Sequence, residues 1–189
     1  MATVAAPTRM TVEEFLALPQ DDGVSRLLIH GELREYHMPE RNYHHGRTMT
    51  VLSYELERWL RTQPQPRDAV FTGDVGIRLS ADVSFGADMM YVTAAMMAGQ
   101  SRKSNAVVVG VPELAVEIIS PGEVWDRHQD KREAYLDAGV KVVWVLDPRT
   151  RAVTIYRPGV GPKMVSDQEV LTAPDVLPGF SVPAADLFG

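Results

Sequence analysis

PELAVEIISPGEVWDRHQDKREAYLDAGVKVVWVLDP, residues 112–148, decides how this chain is read. Leu114, Ala115, Val116, Ile118 and Ile119 form a short apolar run closed by Ser120 and Pro121, the pattern of a strand covered on both faces. Glu117 interrupts that run. A lone ionised carboxylate in an apolar interior costs roughly several kcal/mol, so Glu117 is expected to be paired, protonated or bound to a cation. Further on, Val124, Lys131, Tyr135 and Ala138 are spaced to share one helical face, which sends Lys131 where an apolar side chain belongs. Asp126, Gln129, Asp130, Glu133 and Asp137 make the solvent face, and Gly139 is placed to cap the helix in a left-handed conformation. Residues 140–146 then read as a second buried strand, stopped by Asp147 and Pro148. A strand, helix, strand unit of this kind is normally a right-handed crossover between parallel strands. Its acid and its lysine can face each other at the end of the first strand.

Upstream, residues 1–9 are expected as a loose tail and 10–189 as one domain. Met10-Thr11-Val12-Glu13-Glu14-Phe15 carries a helix start: Thr11 as N-cap, Glu14 completing a capping box, Met10 and Phe15 flanking it as a hydrophobic staple. Residues 26–29 and 32–36 read as a hairpin turned by His30-Gly31. Met49, Leu52, Leu56, Trp59 and Leu60 keep helical spacing over residues 45–61, with His45 one turn ahead on the same stripe and leaning inward. A strand is expected over 70–79, a turn over 80–87, and a strand over 88–92 that opens on Asp88. A short helix near 93–97 and a flexible stretch over 99–106, with Arg102 and Lys103 as candidate phosphate contacts, lead back to the central strand.

Downstream of Pro148, strands are expected over 152–156 and 163–165. The tail LTAPDVLPGFSVPAADLFG is too rich in proline for regular structure, although Leu177, Phe180, Val182, Leu187 and Phe188 can pin it to the core or to a partner chain. Trp59, Trp144, Tyr135, Met89 and Met90 read as core. A chain of 189 residues fits one domain and can bury roughly 70% of its unfolded surface without staples. Zero cysteines exclude disulfides, thiolate metal sites and a cysteine nucleophile. There is no P-loop, dinucleotide-binding glycine turn, serine elbow or internal repeat. No signal-peptide layout and no apolar run near the ~20 residues of a membrane span are present, so the expected setting is the cytoplasm. A net charge of -6 argues against a protein coated by nucleic acid but leaves room for a local basic cleft.

The ordered set TVEEFLALP, IHGELRE, HHGR, GDVGIRL, ADMMYV, PELAVEIISP, DKREAYLDAGVKVVWVLDP and LPGFSVPAADLF resembles the Uma-two family, named for restriction endonucleases, within the PD-(D/E)XK nuclease superfamily. Each piece is weakly specific; the order, above all VEIISP followed by K-x-x-x-Y-x-x-x-G-V-x-x-x-W-V-x-D-P, is much more so. The resemblance implies an α/β fold with a restriction-endonuclease-like core: a central mixed sheet flanked by helices, carrying an N-terminal helix and hairpin.

It also implies a magnesium-dependent endonuclease acting on DNA, with manganese as an alternative ion; a homodimer is expected besides. Asp88 and Glu117 match the two acids of the motif, the Ile119 backbone carbonyl a further metal ligand, and Lys131 the motif's lysine, supplied from the helix. His45, Glu32 and Tyr135 are candidates to hold those ligands from behind by hydrogen bonds, or to add one. Two departures stand out. The lysine expected two residues after Glu117 is Ile119, and the proline before the first acid is Ala87. Magnesium takes carboxylate, carbonyl and water oxygens, so the residue types suit it. Two other readings stay open: Glu117 as a structural acid paired with Lys131, and the whole chain as a catalytically silent binding or regulatory module on a nuclease fold.

Overall fold

The computed structural model describes residues 9–38, 42–101, 107–122 and 125–189. Helix α1 (Val12–Leu16) begins at Thr11, whose hydroxyl accepts from the Glu14 amide while Glu14 reaches back to the Thr11 amide, so the capping box forms as the sequence dictates. Strands β1 (Val24–Ile29) and β2 (Glu32–His37) form the expected hairpin, with His30 and Gly31 both at positive φ, 51° and 77°. Helix α2 (Tyr43–Leu60) starts at Asn42, whose side chain accepts the His45 amide, and buries His45, Thr48, Leu52, Leu56, Trp59 and Leu60.

After α2 come β3 (Ala69–Arg78), β4 (Ser84–Val92) and the short α3 (Ala94–Ala98), capped by Thr93. The two-residue β5 (Val108–Val109) follows; residues 102–106, with Arg102 and Lys103, lie outside the described residues. Then β6 (Leu114–Ile118), α4 (Trp125–Ala138) and β7 (Val142–Asp147) complete the unit the sequence singled out, with Gly139 at φ 97°. Val124 also lies outside the described residues. The chain closes with β8 (Ala152–Arg157), β9 (Val160–Ser166), β10 (Val170–Ala173), β11 (Leu177–Pro183) and α5 (Ala184–Leu187).

The main sheet runs β2-β1-β4-β6-β7-β8-β9, with β3 paired to β4 and β5 added to β3. β6 and β7 are parallel, joined across α4, and the pairs around them are antiparallel. Alternation along β6 divides the interior. Leu114, Val116 and Ile118 pack with Leu52, Leu56, Trp144, Phe180 and Leu187 on the α2 side, while Ala115 packs with Phe85, Ala134, Tyr135 and Val143 on the α4 side. Glu117 shares the parity of Ala115, so the chain's own alternation aims it at α4.

Two expectations are corrected. Residues 84–87 are strand rather than turn, which puts Asp88 in the middle of β4 instead of at its start. Ser84, Gly86 and Ala87 look like turn chemistry, but Phe85 pairs with Ile77 and Gly86 with Gly76, and this long-range pairing overrides the local signal. A Cβ at Gly86 would lie 2.3 Å from Asp74 Oδ1, so a larger residue there would push the Asp74 side chain aside. The proline-rich tail is also ordered. β10 and β11 form a separate two-stranded sheet in which each strand keeps a free edge, where prolines such as Pro178 and Pro183 cost no ladder bond. The Pro178 carbonyl accepts the Trp59 indole N–H at 3.0 Å, and Leu177, Phe180, Val182, Leu187 and Phe188 are buried in the α2-side core. Among the described residues, no helix is long and apolar enough to cross a membrane.

Two glycine substitutions should have opposite signs. Gly86→Ala is expected to destabilise by about 1–3 kcal/mol through overpacking against Asp74. Gly46→Ala, inside α2 with open space around the new methyl, should stabilise by about 0.5–1 kcal/mol. Denaturant melts of the two variants check both signs.

Candidate active site

The antiparallel register of β4 and β6 pairs Tyr91 with Leu114, Met90 with Ala115 and Met89 with Val116. One further rung sets Asp88 opposite Glu117. There the ladder changes character: the Ile118 amide donates to the Asp88 carboxylate Oδ2 at 2.8 Å, while the next amide, Ile119, donates to the Leu146 carbonyl on β7. On its other edge Asp88 faces a bulge. Thr72 pairs with Met89 and Val75 with Ala87, so Gly73 and Asp74 together oppose Asp88, both at positive φ. Bulges of this kind re-aim side chains and bend strands beside functional sites.

α2 brings His45 to the same place. Its Nε2 lies 3.5 Å from Asp88 Oδ2, and both side chains are nearly inaccessible. From α4, Lys131 Nζ donates to Glu117 Oε2 at 2.5 Å and the Tyr135 hydroxyl donates to Glu117 Oε1 at 2.8 Å. Lys131 is 1% exposed, so it does not run along the helix to water. Its ammonium also sits 5.7 Å from the centre of the Phe85 ring, which meets Tyr135 edge-on. The structure therefore gathers Asp88, Glu117, Lys131, His45 and Tyr135. It leaves Glu32 elsewhere: exposed on the edge strand β2, 3.7 Å from Arg34. Ile119 is half-buried just past the end of β6.

The two acids are driven in opposite directions. For Asp88, burial is the largest influence and opposes ionisation, but the His45 contact, the Lys131 charge and the Ile118 amide together outweigh it and hold the carboxyl well below the usual range. For Glu117, burial prevails over the Lys131 charge, and the negative Asp88 adds to it, so its pKa is raised. The Tyr135 hydroxyl is pushed far up by burial and by its acidic partner, which keeps it a donor. Paired groups whose surroundings separate their pKa values in this way are a mark of functional sites. Among the described residues no three His, Cys, Asp or Glu side chains are grouped to hold a metal ion.

The Uma2 family model, described as "Putative restriction endonuclease", matches residues 12–185. The chain belongs to the Uma2 family. A crystal structure described as "a putative nuclease belonging to DUF820" from Anabaena variabilis ATCC 29413 shares the fold, with a TM-score of 0.77 and 20% sequence identity over 95% of this chain and 97% of that chain. Comparison with curated proteins returns no match.

Two residues of this Uma2 chain escaped the sequence reading. Arg127 and His128 are buried on α4; the Arg127 charge acts on Glu117, and the charges of Glu117 and Lys131 act in turn on His128. The signal was present: the stripe Val124, Lys131, Tyr135 has a seven-residue gap, and His128 is the position that fills it at helical spacing. Burial lowers the His128 pKa from 6.5 to about 4. Past the end of β6, two residues on from Glu117, opens a cleft of about 510 Å³, walled by Ile119, Ser120 and Asp147 at the ends of β6 and β7, by Asn42 and His44 of the α2 start, and by Trp125 of α4; the gathered acids themselves are buried behind it and do not line it.

The buried pair sets a stability test. Glu117→Gln and Lys131→Met should each cost about 3–5 kcal/mol, because each strands the other partner, and the double variant should cost far less than the sum. A double-mutant cycle in denaturant measures it.

His128 sets a pH test. The folded protein keeps it neutral down to about 4, whereas the unfolded chain takes up a proton near 6.5. The stability it contributes is present above 6.5 and is lost as the pH falls from 6.5 to about 4, on the order of 3 kcal/mol at most. In His128→Asn that slope should flatten, as read from melts across the range.

Proposed function

We propose that this Uma2 chain is a nuclease that hydrolyses DNA phosphodiester bonds with a divalent metal, magnesium or manganese, at Asp88 and Glu117. The observation that carries the reading is the pair of opposed carboxylates on neighbouring strands with the Lys131 ammonium 2.5 Å from one of them. The donor set fits a hard cation. Both acids offer oxygen, each carboxylate oxygen can accept more than one bond, and the Ile119 main-chain carbonyl, two residues on from Glu117, would be the third donor. Such an ion supplies an acidified water and neutralises charge on the phosphate. The side chains do the rest. Asp88, kept ionised, is the anionic anchor, fixed by the Ile118 amide and by His45. Tyr135 holds the Glu117 carboxylate in place from the α4 side. Lys131 presents a fixed positive charge where negative charge develops on the phosphate, an effect worth about 10²–10³ in rate for a single donor. The homodimer expected from the sequence stays part of this proposal.

A second reading, a silent module on a nuclease fold, is favoured by the engagement of both Glu117 oxygens and by the net charge of -6. Cleavage separates the two. With magnesium or manganese, purified protein should cut DNA, and Asp88→Asn or Lys131→Met should slow cutting at least about 10²-fold. Lys131→Met must first be shown to be folded by circular dichroism. Parent-level cutting by folded Asp88→Asn would overturn the proposal.

A further inference from the structure

The cleft at the ends of β6 and β7 offers an exposed aromatic stacking surface. Its volume of about 510 Å³ falls within the ~300–1,000 Å³ range of small-molecule sites. It lies beyond the C-terminal ends of the parallel strands β6 and β7, where open α/β sheets generally receive ligands. Ile119 and Ser120, on its wall, are two and three residues from Glu117. The indole of Trp125 stands at the cleft 56% exposed, and among the described residues no ring or cation stacks on it. The other two tryptophans are buried, Trp59 in the α2-side core and Trp144 inside the sheet. Pro148 and Ile119 add apolar wall.

Polar groups converge on the same space. Asn42 spends its Oδ1 on the His45 amide, which leaves its amide NH2 as a donor. Asp147 accepts from the Arg149 and Thr150 amides through Oδ1, and its Oδ2 lies 3.9 Å from the Arg149 guanidinium. That guanidinium is 88% exposed, so a phosphate can reach it from solvent. An aromatic face, a donor amide, an acceptor carboxylate and an exposed cation make up what an unpaired nucleotide needs: a stacking partner, contacts to the base edge and one phosphate contact.

We infer that this cleft takes an unpaired nucleobase stacked on Trp125 beside the bond to be cut, so that the substrate is single-stranded DNA or DNA with an extruded base. The inference rests on the nuclease reading for its geometry, and it answers the difficulty that the net charge raises. A chain of net charge -6 is poorly suited to grip a duplex through phosphates alone. Stacking contributes about 1–3 kcal/mol per base without any net charge. A base held in a duplex stack presents no free face, and reaching the cleft from a duplex costs unpairing.

Binding is measured without divalent metal, in EDTA, so that it is independent of cleavage. The probe is a short mixed-sequence fluorescein-labelled DNA strand, compared with its blunt duplex by anisotropy. The unlabelled strand is also titrated against tryptophan emission. The strand should bind more tightly than the duplex and quench emission. Trp125→Ala should weaken strand binding roughly 5- to 150-fold and abolish the quenching, with Trp125→Phe between the two. Equal affinity for strand and duplex, or strand binding unchanged in Trp125→Ala, overturns the inference. The two readings fail separately: duplex cutting that depends on Asp88 and not on Trp125 leaves the nuclease and removes the cleft assignment. Trp125-dependent strand binding without any cutting does the reverse.

Discussion

The contact between Glu117 and Lys131 is the constraint from which the site follows. Taking a carboxylate and an ammonium out of water costs roughly several kcal/mol each, and a well-packed apolar pair in the same volume often matches or exceeds the stability of a buried ion pair. Stability alone therefore gives no reason for this arrangement. The Tyr135 hydroxyl and the Lys131 ammonium saturate one side of the carboxylate, and the Phe85 ring closes over the lysine. The result is an acid held in one orientation, on a strand whose end opens into a cleft. Fixed charge in a water-poor site is what phosphoryl chemistry uses most.

Around that pair, backbone geometry supplies the rest. The register of β4 and β6 brings Asp88 opposite Glu117, and the bulge in β3 removes one regular rung on the far side of Asp88. Asp88 takes the Ile118 amide and a neighbouring histidine as compensation, which explains how two acids can lie so close with one of them firmly ionised. Membership of the Uma2 family and the fold shared with a solved structure agree with this core. The chemistry is argued from the residues themselves.

Much of this was legible in the sequence where the chemistry is local. The Thr11 capping box, the His30-Gly31 turn and the Gly139 cap each depend on a handful of adjacent residues, and each forms as written. The β6-α4-β7 unit was legible because its strands are continuous apolar runs and the helix between them is striped. What stayed hidden depends on distant pairing. Phe85 and Gly86 look like a turn until β3 is laid beside them, and the prolines of β11 look disordering until that strand proves to have a free edge. Within the site, Glu117 and Lys131 announced themselves as charges out of place. His128 was signalled only by its place in the gap of the α4 stripe, a weaker mark than a charge in an apolar run. Glu32, singled out by resemblance alone, lies at the sheet edge beside Arg34, away from the gathered acids.

Metal titration calorimetry on the parent protein and on Asp88→Asn tests the account most directly. Magnesium or manganese should bind the parent with a stoichiometry near one, and the heat should vanish in the variant while its fold, followed by circular dichroism, persists. Absence of binding in the parent, or unchanged binding in the folded variant, would contradict the account and return Glu117 and Lys131 to a structural role.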